Sequence, residues 1–399
     1  MTGPLVVVMP GLLNGGGAER YAVGLAAALR GLTPPATAVV LATDRGEVPE
    51  FERHFGIDLT GVRVVHLPTP PSWSRRLPTS LFDLVEELGW TGALRRLGPS
   101  VQFTCLYKAE LPGVASDRNV YVCHFPHRRD HRWRPWWRAA AMAVVARARR
   151  GLLGHGPDAL GSYDTIVANS GFTANHVRSR WGRTAVVVPP PCSPMEADAT
   201  RRRQIVAVGR IERPVPGVPN KRHDVLVDAF CTLTDLHDQG WELQLAGTCP
   251  NDQQDYLASL RDRAQGAPVT LHPNLPHADL ATLYASSTIF WHAQGFGESV
   301  TEHPETQEHF GITTVEAMSA GVIPVVIDTA GPREVVAPVA GAERWITLDD
   351  LAAATRRVAS LTESERASIE GACRARAAEF SPDAFTARIA ALLGSDRER

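Results

Sequence analysis

Two glutamates with seven residues between them, Glu308 and Glu316, bracket a short turn before a predicted helix. Thr313 and Glu316 fit a capping box, with the threonine as N-cap and the glutamate at N3. The first N–H groups of such a helix lack intrahelical partners and can bind a phosphate. Gly311 lets a ligand approach the backbone closely. The segment therefore predicts a nucleotide-sugar site, in which the carboxylates bind hydroxyls and the amides bind the diphosphate.

The same segment resembles a known family. Phe310–Val326 is similar to the motif FGIxxxEAMAxGxPVV of glycosyltransferase family 4, whose members carry two glutamates separated by seven residues. The version EHFGITTVEAM is typical of a bacterial subgroup. The resemblance implies the GT-B fold and a retaining, hexosyltransferase-like enzyme that moves a sugar from a nucleotide-diphosphate donor to an acceptor hydroxyl. From the residues alone, an ordinary capped helix in which Glu316 only closes the box is the alternative.

The resemblance also implies roles for the residues of the turn. The donor would bind mainly to the second domain, without an obligatory metal or other cofactor. The expected contacts are Glu308 and the backbone of Phe310, Gly311 and Ile312 for the sugar, Glu316 for the ribose, and the amides of Thr313 and Thr314 for the diphosphate.

Two cations are candidates for the diphosphate. A predicted strand, Gln204–Val208, is followed by Gly-Arg, and Lys221 precedes a predicted helix. Arg210 and Lys221 match by position the arginine and lysine that grip the diphosphate in the family. Fixed cations stabilise the charge that grows on a leaving diphosphate. The alternative for Arg210 is a surface ion pair. The glycine that usually follows the lysine is Arg222 here, which could share or replace the phosphate role.

Further motifs of the family follow in the expected order. Gly16 and Gly17 belong to a GGAE segment that would approach the phosphates or the acceptor, and a plain tight turn is the alternative. His124 ends a strand followed by Phe-Pro and would contact the sugar near its anomeric carbon, unless it is structural. Residues 168–173 resemble ANSxFT, and Leu275 lies where the family holds the nucleobase. Catalytic roles are expected for His124, Arg210, Lys221 and Glu308.

Composition restricts the class of protein. A chain of 399 residues suits two domains, and 41 basic against 43 acidic residues give no field that attracts nucleic acid or a membrane. The six cysteines form no CxxC pair, which argues against a zinc site or disulfides. No signal peptide is evident, and no apolar run reaches the roughly 20 residues of a membrane span. These features predict a cytoplasmic enzyme, free or peripherally attached.

Short β-branched runs alternate with helical patterns, which predicts an α/β protein with buried parallel strands. One predicted helix covers Asp224–His237. The proline-rich linker Pro189–Pro194 separates two doubly wound, Rossmann-like domains that face each other across a cleft. The expected boundaries are 1–192 for the acceptor-side domain and 193–378 for the donor domain. Residues 379–399 are expected to form a helix that, as in the family, packs back on the first domain.

Residues 127–150 combine arginine and tryptophan. This composition suits an anionic membrane surface, a lipid-phosphate acceptor or, less well, a nucleic acid. A helix with a solvated cationic face and tryptophans in the core is the alternative. His124, His127 and His131 lie near one another in the sequence, but no carboxylate-rich group joins them, so no metal site is predicted.

Two other functions stay open at this stage. A sugar-nucleotide epimerase or a phosphorylase can share the GT-B fold but would lack this pair of glutamates. A catalytically silent module would bind a nucleoside diphosphate without transferring or hydrolysing the donor. The sequence leaves the donor base, the sugar, the acceptor and the oligomeric state open.

Overall fold

The computed structural model describes residues 3–11, 16–106, 116–127, 147 and 159–394. The chain forms two compact units. Unit 1 comprises Met1–Pro191 and Pro382–Arg399, and unit 2 comprises Cys192–Ser381. The border after Pro191 falls within the proline-rich linker, and the C-terminal segment belongs to unit 1.

The described part of unit 1 is built on seven parallel strands: β1 (Leu5–Val8), β2 (Val39–Thr43), β3 (Val62–His66), β4 (Val101–Thr104), β5 (Arg118–Cys123), β6 (Thr165–Ala168) and β7 (Val186–Val187). Their order in the sheet is β3-β2-β1-β4-β5-β6-β7. Every residue of β1 and β2 is buried. Strands that are apolar toward both faces need helices on both sides of the sheet, which explains the alternation of strand and helix along the chain.

Helices follow most of these strands. They are α1 (Gly17–Leu32), α2 (Val48–Phe55), α3 (Thr79–Leu97) and α4 (Gly171–Trp181), with 3-10 turns at Ser72–Arg76 and Ala159–Ser162. Helix α1 contacts the proline-rich linker at Gly24, where a Cβ atom would lie 2.5 Å from Cγ of Pro191. The absence of a side chain there lets the linker pack on the helix.

The sheet of unit 2 also consists of parallel strands: β8 (Gln204–Val208), β9 (Glu242–Gly247), β10 (Val269–Pro273), β11 (Ile289–His292), β12 (Ile323–Ile327) and β13 (Glu343–Trp345). Their order is β10-β9-β8-β11-β12-β13. Strand β13 pairs with β12 at the edge and is not one of the apolar runs in the sequence. The two sheets confirm the predicted α/β class with two Rossmann-like halves.

The helices of unit 2 are α5 (His223–Cys231), α6 (Thr234–Asp238), α7 (Gln254–Arg263), α8 (His277–Ser286), α9 (Ile312–Ser319), α10 (Ala330–Val336), α11 (Leu348–Ala359) and α12 (Glu363–Ala378), with 3-10 turns at Asn251–Gln253 and Pro304–Thr306. The prediction of one helix over Asp224–His237 was wrong. The chain leaves the helical conformation at Leu233, which has φ −89° and ψ 50°. The break lets both Leu233 and Leu236 enter the core.

The last helix, α13 (Pro382–Gly394), packs on α1 within unit 1. The rings of Tyr21 and Phe385 meet edge to face at 5.2 Å. The guanidinium of Arg118 donates to the carbonyl of Leu392 at 2.8 Å and to that of Leu393 at 3.3 Å, which satisfies the end of the helix. The C-terminal helix therefore returns to the first half of the chain.

Each sheet contains one point at which the strand order reverses. This point lies between β1 and β4 in unit 1 and between β8 and β11 in unit 2. In open α/β sheets, ligands bind outside the carboxyl ends of the strands at such a point. The residues that follow β8 and β11 are therefore the first place to search for a site in unit 2.

Candidate active site

Three side chains meet at the carboxyl ends of β8 and β11. Lys221 Nζ donates a hydrogen bond to Oε2 of Glu308, and His292 Nε2 lies 3.7 Å from the same oxygen. The side chains of Lys221 and Glu308 are 22% and 18% exposed, whereas His292 is 2% exposed. A small ligand can therefore reach the lysine and the glutamate, and the histidine supports them from the interior.

The charges of this cluster are set by burial and by mutual contact. Burial alone would raise the pKa of Glu308, but the Lys221 ammonium and the nearby His292 outweigh it and hold that pKa well below its usual value. Burial lowers the pKa of His292, and Lys221 lowers it further. At neutral pH the site thus contains an ionised carboxylate, an ammonium and a neutral imidazole.

The absence of a side chain at Gly209 leaves room for the side chain of Lys221. A Cβ atom on Gly209 would lie 2.4 Å from Cγ of Lys221, so the aliphatic stem occupies the space of the missing side chain. The ring of His223 holds the same turn, because its Nε2 lies 3.1 Å from the carbonyl oxygen of Gly209. Burial lowers the pKa of His223 to about 4, so this ring is neutral and donates to the carbonyl.

Arg222 is bound within the protein. Its Nη1 donates to the carbonyl of Phe296 at 2.6 Å, and its Nε lies 3.3 Å from Oδ1 of Asp224. These contacts tie the Lys221 turn to the loop that follows β11. The guanidinium is therefore engaged with the protein itself, which argues against the phosphate role that the sequence left open for it.

Backbone strain is concentrated in unit 2. Among the described residues, the non-glycine residues with positive φ are Arg222 (54°), Asn274 (58°) and Ala330 (50°). Arg222 follows Lys221 and Asn274 precedes Leu275. Strained conformations of this kind cluster at functional sites. The positive φ of Arg222 explains why glycine usually follows the lysine in this motif, since glycine adopts this conformation without a steric cost.

The capping box predicted before the second glutamate was wrong. Helix α9 begins at Ile312, and its N-cap is Gly311, which has φ 100°. Thr313 is consequently the second helical residue and Glu316 the fifth, too far along the helix for a box. The amide of Thr314 donates to the carbonyl of Gly311 at 3.0 Å and is already used within the turn. The glycine at positive φ turns the chain into the helix two residues earlier than an N-cap at Thr313 would.

The backbone around Glu308 is clamped by the start of α10. The amide of Gly331 donates to the carbonyl of Glu308 at 2.9 Å, and a Cβ atom on Gly331 would lie 2.3 Å from Cα of Phe310. The ring of Phe310 is buried against Phe380 at 5.3 Å. Glu316 is also buried, on α9. These contacts fix the main chain that carries the Glu308 carboxylate.

Two predicted donor contacts lie on loops of the same sheet edge. Arg210 is 52% exposed, and its Nε lies 3.6 Å from Glu212, which is the surface ion pair named as its alternative. Such pairs are worth about 0–1 kcal/mol, so an anionic ligand can replace Glu212 as the partner. Leu275 packs against the core beside Asn274, whose Oδ1 accepts from the amide of Cys249 at 2.9 Å. This bond joins the loops that follow β9 and β10.

The predicted residues of unit 1 lie at its own sheet edge. Gly16 precedes α1, which starts at Gly17, and the amide of Gly16 donates to the Glu19 carboxylate at 3.1 Å. His124 follows β5, is 6% exposed and lies edge-on to the ring of Tyr21 at 5.8 Å. Gly16 and His124 belong to unit 1, whereas Glu308 belongs to unit 2.

The segment resembling ANSxFT has a structural role. Asn169 Nδ2 donates to the carbonyl of His124 at 3.1 Å. Ser170 is the N-cap of α4, and its Oγ accepts from the amide of Thr173 at 3.1 Å. The motif therefore fixes the position of His124 and starts a helix.

Most of residues 127–150 lie outside the described residues, which include only His127 and Arg147 of this stretch. The predictions for this stretch are therefore not tested, and residues 12–15 of the glycine-rich loop also lie outside the described residues. Within the described ranges, His, Cys, Asp and Glu residues form no group that could hold a metal ion. The helices in those ranges include none that is both long enough and apolar enough to cross a bilayer.

Sequence reasoning did not identify His292. The residue ends the buried run Ile289–His292, directly before a loop at the switch point of the sheet. A polar residue at the carboxyl end of an apolar strand was the available signal. Its partner, however, follows 16 residues later, after a loop whose path the sequence does not specify.

Two family models match consecutive parts of this chain. The model described as Glycosyltransferase Family 4 matches residues 15–194, and the model described as Glycosyl transferases group 1 matches residues 196–379. The chain belongs to glycosyltransferase family 4. The match to the second model contains Arg210, Lys221, His292 and Glu308, and the match to the first contains His124.

Two curated relatives share one description. The chain is 28% identical over 250 residues to the GDP-Man:Man(3)GlcNAc(2)-PP-Dol alpha-1,2-mannosyltransferase of Xenopus laevis, a match that covers 57% of this chain and 48% of that protein. It is 27% identical over 245 residues to the human protein of the same name, covering 56% and 46%. This family 4 chain thus spans about half the length of the curated relatives that it matches.

Solved structures support the fold. A glycosyltransferase from Rickettsia africae ESF-5 superposes with a TM-score of 0.68 at 13% identity, covering 98% of this chain and 97% of that one. HepE from Anabaena in complex with UDP superposes with a TM-score of 0.66 at 17% identity, covering 98% and 100%. At such low identity the likeness establishes the fold alone, and it confirms the GT-B architecture expected for this family 4 chain.

Proposed function

We propose that this family 4 protein transfers a sugar from a nucleotide-diphosphate donor to an acceptor hydroxyl with retention of configuration. The observation that carries the proposal is the contact between Lys221 and Glu308 at the switch point of the unit 2 sheet. In this proposal the ammonium of Lys221 binds the diphosphate, and the adjacent carboxylate of Glu308 binds sugar hydroxyls. Family membership supports this reading of the pair.

Glu308 is suited to bind the donor sugar. Its low pKa keeps the carboxylate ionised, and ionised carboxylates accept strong hydrogen bonds from hydroxyls. Oε2 is held from the protein side by Lys221, whereas Oε1 has no hydrogen-bond partner among the described residues. We assign Oε1 to the sugar hydroxyls. The backbone of Phe310, Gly311 and Ile312 is proposed to complete the sugar site.

The diphosphate is proposed to bind Lys221, Arg210 and the first turn of α9. Lys221 must turn toward the diphosphate or share its ammonium between the phosphate and Glu308. The Thr313 amide lies in that first turn, whose partial positive charge favours an anion. Glu316 is proposed to bind the ribose, and Leu275 to lie beside the nucleobase.

We favour a front-face substitution. The bond between the anomeric carbon and the donor phosphate oxygen breaks, and the acceptor oxygen bonds to the same face of that carbon. The acceptor proton passes to the departing phosphate oxygen, so no protein carboxylate acts as a nucleophile. The cations and helix amides stabilise the charge that grows on the leaving group, and each positioned donor of this kind is typically worth about 3 kcal/mol.

The remaining contacts are proposed for unit 1. His124 is proposed to contact the substrate, and Gly16 and Gly17 to allow close approach of the backbone. The curated relatives are named for a GDP-mannose donor and an acceptor linked to dolichol diphosphate. GDP-mannose is accordingly the first donor to test, and a lipid-phosphate acceptor bound through residues 127–150 is the first acceptor hypothesis. We also propose a cytoplasmic, peripheral protein that needs no metal and binds no nucleic acid.

The test begins with binding. A thermal-shift screen against UDP, GDP, ADP and dTDP should show one nucleotide that raises the unfolding temperature most, because a ligand of the folded state stabilises it by mass action. Sugars of that nucleotide are then incubated with acceptors, and the anomeric configuration of the product is read by NMR. A retained configuration supports the proposal, whereas an inverted product refutes the retaining mechanism.

Donor-only reactions separate the other functions. A sugar-nucleotide epimerase would change the donor without an acceptor, and a phosphorylase would need inorganic phosphate to release the sugar. A silent binding module would shift in the thermal assay but neither transfer nor hydrolyse any donor. Each of these results would replace the proposal with the corresponding function.

A further inference from the structure

His292 is a buried polar residue without a conventional partner. The side chain is 2% exposed, and neither ring nitrogen has a hydrogen-bond partner among the described residues. Leaving a buried polar group unsatisfied typically costs about 1–3 kcal/mol, so such a residue in a folded protein calls for an explanation. Oε2 of Glu308 lies 3.7 Å from Nε2, just beyond hydrogen-bond distance, and is a candidate partner for this nitrogen.

The geometry around Glu308 shows what the histidine can do. Oε2 is approached from two sides, by Lys221 after β8 and by His292 at the end of β11. If Lys221 turns to a diphosphate, Oε2 loses its donor while the carboxylate stays partly buried. A buried carboxylate without a partner is an uncompensated charge that destabilises the protein, unless another group donates a hydrogen bond to it.

We propose that His292 is a positioning residue, which donates from Nε2–H to Oε2 of Glu308 when the donor diphosphate draws Lys221 away. This inference rests on the proposed function and adds a residue to it. The closure needed is small, since 3.7 Å exceeds an ordinary hydrogen bond by less than an ångström. Oε1 would then keep its orientation toward the sugar.

A neutral imidazole suits this role. The charged groups that act on His292 are Lys221 and Glu308, from the turn after β8 and the turn before α9. Burial together with Lys221 keeps the ring neutral, so it can donate one hydrogen bond without adding a second positive charge beside the lysine. Partners that orient metal ligands typically change affinity or activity about 10- to 100-fold, and we expect the same range for a donor that orients Glu308.

The test uses three substitutions that separate the ring nitrogens. The amide nitrogen of glutamine lies near the place of Nε2, whereas that of asparagine lies near Nδ1. His292→Gln should therefore keep kcat/KM within about three-fold, while His292→Asn and His292→Leu should lose about 10- to 100-fold. The matched control is His272→Gln, at another strand histidine, which bonds Gln244 at 2.8 Å and lies on β10.

A pH profile gives a readout that a purely structural role would not move. Removing the donor from Oε2 should raise the pKa of Glu308, so the acid limb of kcat/KM should move to higher pH in His292→Leu and stay in place in His292→Gln. Wild-type kcat/KM in His292→Leu would overturn the inference. Equal losses in all three variants with unmoved acid limbs would also overturn it.

A binding measurement keeps this inference separate from the transfer reaction. Carbon-13 NMR of the Glu308 carboxyl group can follow its titration in the protein saturated with the nucleotide selected by thermal shift. A higher pKa in His292→Leu than in the wild type supports the positioning role even if no transfer is found. An unchanged titration refutes it, even if the wild type proves to be an active transferase.

Discussion

Each unit places a buried histidine at the carboxyl end of a parallel strand, and the two histidines have different neighbours. His124 follows β5 and His292 ends β11, and both are buried at the carboxyl edge of a parallel sheet. The ring of His124 lies against Tyr21, whereas that of His292 lies against the carboxylate of Glu308. The strand end thus supplies a position, and the loops that pack around it determine the chemistry.

The loop after β1 in unit 1 and the loop after β8 in unit 2 also make different contacts. In unit 1 the described part of the loop leads into α1 through Gly16, and the nearby carboxylate of Glu19 binds the helix entry itself. In unit 2 the longer loop after β8 ends at Lys221, which reaches a glutamate 87 residues later in the chain. The charged pair within unit 2 is therefore a tertiary product, and substitutions there should affect chemistry more than those in unit 1.

The largest effect is expected from Glu308→Gln. The amide keeps the shape of the side chain but removes the charge that holds Lys221 and that we propose binds sugar hydroxyls, so kcat/KM should fall about 10²- to 10³-fold. Initial rates with the cognate nucleotide-sugar measure the change, and thermal unfolding checks the fold. Glu302→Gln, on the exposed part of the preceding loop, is the control. Full activity in Glu308→Gln with an intact fold would discard the site.

Arg210→Ala should come next. Loss of a cation from the proposed diphosphate site should lower turnover about 100-fold, within the range for removing one charge-stabilising donor. Arg213→Ala is a matched control, because Arg213 is exposed in the same loop and stacks 6.0 Å from the ring of Tyr256. In nucleotide titrations, Arg210→Ala should lose more affinity for the nucleoside diphosphate than for the monophosphate. Equal behaviour of the two variants would contradict the assigned role.

A smaller effect is expected from His124→Ala. If His124 contacts the substrate from unit 1, transfer should fall about ten-fold, which corresponds to the loss of one hydrogen bond of about 1.4 kcal/mol. The affinity for the nucleoside diphosphate alone should stay unchanged, because its proposed contacts belong to unit 2. Calorimetric titration measures that affinity. A loss of nucleotide binding equal to that in Arg210→Ala would remove the contrast between the two histidines.

Ser170→Ala should affect stability rather than chemistry. The serine caps α4 by accepting from the amide of Thr173, and loss of such a cap typically costs about 1 kcal/mol. Chemical denaturation followed by a probe in unit 1 measures the change. A decrease in kcat larger than ten-fold would show instead that the ANSxFT segment controls the reaction through His124.

The smallest net effect is expected from Arg222→Gly. Relief of the left-handed conformation should gain about 1–2 kcal/mol, and the lost bonds to Phe296 and Asp224 should cost a similar amount. Denaturation curves should therefore coincide to within about 1 kcal/mol. A collapse of diphosphate binding in this variant would show that Arg222 does hold the phosphate.

Much of the framework was predictable from the sequence. Largely apolar runs such as Gln204–Val208 and Ile323–Ile327 became strands with the expected bounds, since a strand buried on both faces is nearly continuously apolar. The edge strand Glu343–Trp345 was missed, because an edge strand of three residues needs no such run. The helix break at Leu233 was missed because the helical pattern continues through it, and only the core required the turn.

The sequence by itself predicted the class of the fold from its short apolar runs, and its resemblance to the family predicted the roles of the two glutamates and the two cations. Only the tertiary structure decided that Gly311 starts the helix, that Lys221 and His292 share one oxygen of Glu308, and that Arg222 binds Phe296. Those partners are separated by 16 to 87 residues in the chain. Their contacts form when the sheet brings the ends of its strands together, and the local sequence does not predict which of these distant residues meet.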